Sequence, residues 1–235
     1  MLKQSFVSIY KPIMEKKGFL QKKGIFHKCI NNEIIQMLSF VEFEYEFTIQ
    51  FTFFPICSGY SCTTFLDEYR IGSLLGNESY AMWKKNENLE LNIKKSLDIC
   101  SEYLFPYFEK VKDCKTYSIS ITELYKQIYD EGYKDILLTH NILYNVSLKI
   151  GNYDLAKKCI YASIEQKENS LKRNLECGIQ PTEKKIKEIE SFKIEKMNML
   201  KAIELNDRNF INNYILSNEK KTLNSYKKNF KKFFL

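Results

Sequence analysis

The sequence predicts an α+β fold. Residues 1–115 read as an antiparallel sheet packed by helices, and residues 116–235 as an all-α region, a helical bundle or short helical-repeat-like array. Three observations carry this. From Val41 to Phe53, apolar residues alternate one for one with Glu, Thr and Gln, the period of a strand. Residues 6–14 and 89–111 instead show the three-and-four spacing of amphipathic helices. After about residue 116 the strand signal is gone, and helical spacing runs onward, punctuated by Gly and Pro.

Taken in order, Phe6, Ile9, Tyr10, Ile13 and Met14 mark a first helical face, with Pro12 inside it expected to bend the helix or shift its start. Gly18 supplies a left-handed helix cap. The stretch "KKGFLQKKGIFHK" therefore reads as a helix-to-strand corner. No strand precedes it and no Gly-Lys-Ser/Thr follows, so it is not a phosphate loop. Residues 25–30 and 33–40 are strand-like around the turn pair Asn31-Asn32.

The alternating run 41–53 exceeds a typical strand of about 5–6 residues, so a turn is expected near Glu42–Tyr45. Its unbroken parity predicts an odd-numbered loop, with Val41, Phe43, Phe47, Ile49, Phe51 and Phe53 on one buried face. Pro55 closes the run, "CSGYSC" reads as a loop, and "YRIGSLL" as a short strand or extended segment. Helical spacing over 87–112 is interrupted by Pro106. Helices are then expected over 119–131, 135–150, 153–177, 182–205 and 219–234.

Composition sets limits on function. The chain has 235 residues, 44% hydrophobic and 14% aromatic, enough for a substantial core. Net charge is +7, but only Arg70, Arg173 and Arg208 are arginines. Specific nucleic-acid binders favour the planar guanidinium, so nucleic acid is not the expected partner. Residues 1–115 hold 15 basic and 14 acidic side chains against 21 and 15 in 116–235, which places the excess in the helical half. The first residues lack the apolar run of a signal peptide, and no stretch suits a membrane span. Seven cysteines at scattered spacings make no disulfide framework, and point to a reducing cytoplasm.

No constellation carries catalysis. His27 and Cys29 share a strand face, but zinc would need Cys57 and Cys62 brought to them. His140 sits in an apolar helix. Neither an enzyme, a metal, a cofactor nor a small-molecule substrate is expected. Glu42, Glu44, Glu46, Thr48 and Gln50 form the polar strand face. It suits docking of a basic protein, and these five are the candidate partner-binding residues. A second candidate is the groove between the helices of residues 119–177. "NILYNVSLKIGNYDLAKKCIYASI" is similar to one tetratricopeptide-type helix junction, with small Ala156 allowing close packing, though no second copy follows at the expected period. In the tail 220–235, Leu223, Tyr226, Phe230 and Phe233 form one helical face among lysines. Docking on the bundle is expected, and this tail is the one candidate membrane contact.

The order "IYKPIMEKKGFLQKKGIFHK", "NEIIQMLSF", "EFTIQFTFF", "YRIGSLL", then lone Trp83 and an amphipathic helix resembles the bacterial domain of unknown function family 4304, over roughly residues 3–112. The resemblance implies an α+β protein without an assigned reaction. Some members lie in toxin-immunity neighbourhoods. It implies binding rather than catalysis: an immunity-type protein that neutralises a toxin stoichiometrically. The alternative is a helical-repeat-like scaffold or regulator binding peptide or nucleic acid.

Overall fold

The computed structural model describes residues 1–60, 69–76, 81–85, 88–129, 138 and 141–230. The expectations for Cys62, Gly132, His140 and Phe233 lie outside the described residues. The N-terminal part contains helix α1 (Leu2–Lys16), strands β1 (Leu20–Lys22), β2 (Ile25–Ile30), β3 (Ile34–Glu42) and β4 (Glu46–Pro55), and a 3-10 turn at Ile56–Ser58. Strand β5 (Tyr69–Arg70), helix α2 (Ile71–Leu75), strand β6 (Trp83–Lys84), helix α3 (Leu89–Ile99) and helix α4 (Phe105–Lys110) complete it. The helical part contains α5 (Cys114–Tyr129), α6 (Asn141–Lys149), α7 (Tyr153–Glu176), α8 (Glu183–Glu204) and α9 (Arg208–Phe230). An antiparallel sheet followed by helices is thus the observed architecture.

α1 buries Leu2, Phe6, Tyr10 and Met14 and continues through Pro12. Its start is not displaced, because the apolar stripe extends upstream to Leu2. Gly18 closes the helix at φ 79°, with Phe19 N–H donating to Met14 O and Gly18 N–H to Glu15 O, both at 2.9 Å. That double bond satisfies two carbonyls left open by the helix end.

Among the described residues six strands pair antiparallel in the order β1-β2-β3-β4-β5, with β6 also on β4. Asn31 and Asn32 form the β2–β3 turn at φ 52° and 55°, as expected. The β3–β4 connection corrects the odd-loop prediction. Glu42 pairs with Phe47 and Phe43 N–H donates to Glu46 O at 2.8 Å, so Glu44 and Tyr45 form a two-residue tip. An even loop reverses parity. Phe40, not Val41, pairs with Ile49 and shares the face of Phe47, Phe51 and Phe53. Val41 is half-buried on the other face and Phe43 is exposed. Aromatic residues at a solvated tip had prolonged the period by composition alone.

The expectation of one polar face also fails, because both faces are covered. On the Ile49 face, Phe6 of α1 meets Phe26 and Phe40, and Phe108 of α4 meets Phe51 and Phe53. On the opposite face, Tyr226 and Phe230 of α9 pack against Ile35, Met37, Phe54 and Ile56. The tail therefore docks on the sheet rather than on the helical half. Gly59 permits the close approach of α9: a Cβ there would lie 2.8 Å from Asn218 Oδ1.

Pro106 is accommodated by a π-helical turn over Cys100–Leu104, immediately before α4. Wider i→i+5 bonding relieves the clash and the missing N–H that proline brings to a helix. "YRIGSLL" is strand only at Tyr69–Arg70 and helix from Ile71. α5 starts at Cys114, five residues earlier than expected, because Asp113 Oδ1 accepts from Thr116 N–H at 2.7 Å. α9 starts at Arg208, where Asp207 Oδ1 accepts from Phe210 N–H at 3.0 Å. α7 and α8 match expectation, capped by Asn152 and Thr182. One contiguous core reaches from Leu2 to Ile215, crossing the boundary expected at 115/116.

Candidate functional site

The β3–β4 tip is built by the register itself. β3 and β4 stay paired out to Glu42 and Phe47, and β6 holds the base of β4 through Glu46↔Lys84 and Phe47↔Trp83. Lys85 N–H donates to Tyr45 O at 2.9 Å, and Lys85 Nζ reaches Glu42 Oε1 at 3.0 Å. Arg70 lies over the Phe43 ring at 5.3 Å. The tip is thus fixed from three sides, yet it leaves Tyr45 62% and Phe43 37% exposed. Glu42 and Glu44 are exposed and Glu46 is half-buried. The Glu44 carboxylate beside Tyr45 holds that phenol above its ordinary pKa.

Of the five candidate residues, the structure brings Glu42, Glu44 and Glu46 together at this tip. Thr48 and Gln50 are buried at 1% and 4% and reach no surface. Thr48 donates to Ala81 O at 2.7 Å, while the Gln50 side-chain nitrogen has no hydrogen-bond partner among the described residues. Sequence reasoning missed both Phe43, which alternation counted into the buried face, and Tyr45, which it placed at the turn without a role. The available signal was the glutamate on either side of each.

The helical half holds a second feature. Lys196 is only 5% exposed, with its ammonium 3.8 Å from the Tyr144 ring centroid and 5.3 Å from that of Phe192. Glu195 Oε1 is 3.7 Å away. Burial lowers its pKa, opposed by the Glu195 carboxylate. Nothing in the sequence sets this lysine apart from its solvated neighbours. An open cleft of ≈ 680 Å³ runs along α8 beside it, lined by Glu183, Lys187, Phe192 and Glu195 among others. The α6–α7 junction buries Leu143, Ala156 and Ile160 completely.

His27 and Cys29 face α9, and His27 Nδ1 lies 2.7 Å from the Tyr226 hydroxyl. Among the described residues no three His, Cys, Asp or Glu side chains gather as a metal set. Among them, too, no helix is long and apolar enough to cross a membrane. Comparison with protein-family models, curated proteins and solved structures finds no match to this chain.

Proposed function

We propose that the protein acts in the cytoplasm by stoichiometric binding of another protein, in its most specific form as an immunity-type protein that neutralises a bacterial toxin. One observation carries the reading: two exposed aromatic rings stand among three carboxylates on a tip braced by Arg70 and Lys85. Exposed Tyr and Phe supply contact area at low entropic cost, and fixed acidic charge selects a basic partner. Nuclease toxins are basic because they grip phosphate. The reading requires no cofactor and no chemical step.

Co-expression with the neighbouring gene product, followed by size-exclusion chromatography, tests it. The expected result is one co-eluting complex that Tyr45→Ala with Glu44→Lys abolishes, without a change in melting. Separate elution, or turnover of a small molecule by the purified chain, overturns it. The alternative scaffold reading draws support from the α6–α7 junction and the open cleft along α8. It predicts peptide binding that survives the tip substitutions.

A further inference from the structure

Two lysine-rich segments far apart in sequence meet at one edge of the sheet. α1 covers one face and α9 the other, and β1 is the edge strand between them. At this edge α1 ends in Lys16 and Lys17, β1 and its turn carry Lys22 and Lys23, and the last turn of α9 carries Lys227 and Lys228. The segments touch: Lys22 Nζ donates to the Asn229 carbonyl. Lys28 Nζ donates to Lys17 O at 2.8 Å, which ties the strand lysines to the helix end. Neither segment contains an acid: none lies between Lys16 and Asn32, and none after Glu219.

Part of this charge has a local use. Lysines complement a helix C-terminus, and lysine on an edge strand deters strand addition. A helix end carries only about half a charge, so two ends offset roughly one of the lysines and leave the rim strongly positive. Several stems are held rather than free. Lys17 lies over Phe105 at 4.8 Å, Lys22 over Phe230 at 5.9 Å and Lys28 over Phe19 at 5.7 Å.

We propose that this basic rim docks the protein on an anionic membrane surface, such as a phosphatidylserine-bearing leaflet. Its chemistry suits diffuse phosphate better than nucleic acid. Among the described residues the rim has no arginine to fork onto bases or phosphates, and its rings, Phe19, Tyr226 and Phe230, are buried, leaving none there to stack a base. The helix ends that carry Lys16, Lys17, Lys227 and Lys228 are C-terminal, and the first turn of α1 adds Lys3, which packs beside Gly24 in the β1–β2 turn. α9 itself does not insert, since its apolar face is spent on the sheet. The rim is distinct from the acidic tip, so the two proposals stand or fall separately.

Each lysine near an anionic surface strengthens partition about five-fold, and the effect fades with salt. Co-sedimentation of the full chain with phosphatidylcholine vesicles, with and without phosphatidylserine, measures it. The expected result is salt-sensitive binding only to the anionic vesicles. Lys16→Glu with Lys23→Glu and Lys228→Glu should weaken it at least about 100-fold. The same charge change at Lys184, Lys185 and Lys187 on α8 should leave it near the parent value. Circular dichroism checks folding, and Lys→Gln at the three rim positions replaces the reversal if that variant does not fold. No binding to the anionic vesicles, equal loss in both variants, or tighter binding to duplex DNA at the same salt overturns the proposal.

Discussion

Ile49 has no exposed surface and pairs with Phe40 on the face covered by α1 and α4. Ile49→Asp places an unpaired charge there, at a cost of about 4 kcal/mol or more, and should abolish the cooperative melt expected of the parent. His27 gives a pH dependence. Burial, with the Lys22 ammonium nearby, lowers its pKa to about 4, below the unfolded value near 6.5. The fold therefore favours neutral His27. Its full contribution is present above pH 6.5 and is lost as pH falls from 6.5 to 4, by up to about 3 kcal/mol. Chemical denaturation across that range should show the loss in the parent, and a smaller one in His27→Gln. Lys196 should prove dispensable for folding. Lys196→Met keeps the aliphatic contact with Tyr144 and removes a buried charge, so the denaturation midpoint should stay or rise.

Elements differ in how much they owe to their own sequence. β2 and β3 follow from β-branched runs flanking Asn31-Asn32, and α7 and α8 from long periodic segments with Asn152 and Thr182 as caps. α9 is a case of the opposite kind. Its first half, from Arg208 to Asn218, is rich in Asn and carries little amphipathic signal, yet Asp207 caps it and Ile211 and Ile215 bury it. Its second half closes the sheet with Tyr226 and Phe230. Deleting residues 220–235 uncovers Ile35, Met37 and Phe54. Removing two large buried aromatic side chains costs several kcal/mol, so melting should fall by about 10 °C. An unchanged melting temperature would mean that α9 does not cover the sheet in solution.

Across the whole molecule, the shared core predicts cooperation between the sheet and the helices. Trp83, the only tryptophan, sits in the sheet at 7% exposure, while far-ultraviolet dichroism is dominated by the helices. Denaturant titrations followed by both probes should coincide. Two separated transitions would show that residues 1–115 and 116–235 unfold independently. Charge is also organised at this scale. Glu42, Glu44 and Glu46 gather at one hairpin tip, and lysines from α1, β1 and α9 gather along one edge. The tip glutamates stand beside Lys84, Lys85 and Arg70, whereas the edge lysines come from segments without acids, a contrast the linear charge count does not show.

The sequence by itself determined the α+β class, the helix-to-strand corner at Gly18, the Asn31-Asn32 turn and the helical second half, because each is written in local periodicity or backbone preference. It placed the acidic cluster near a hairpin tip for the same reason. Tertiary structure alone decided the rest. Parity across the β3–β4 turn depends on which residues pair, and alternation cannot report a turn whose tip is itself aromatic. Whether Thr48 and Gln50 meet solvent depends on what lies over that part of the sheet. The docking of α9 on the sheet, which buries the second face and brings Lys227 and Lys228 to Lys22 and Lys23, depends on side-chain fit between segments some 200 residues apart. Such contacts leave no period in the chain, so only the folded structure reveals them.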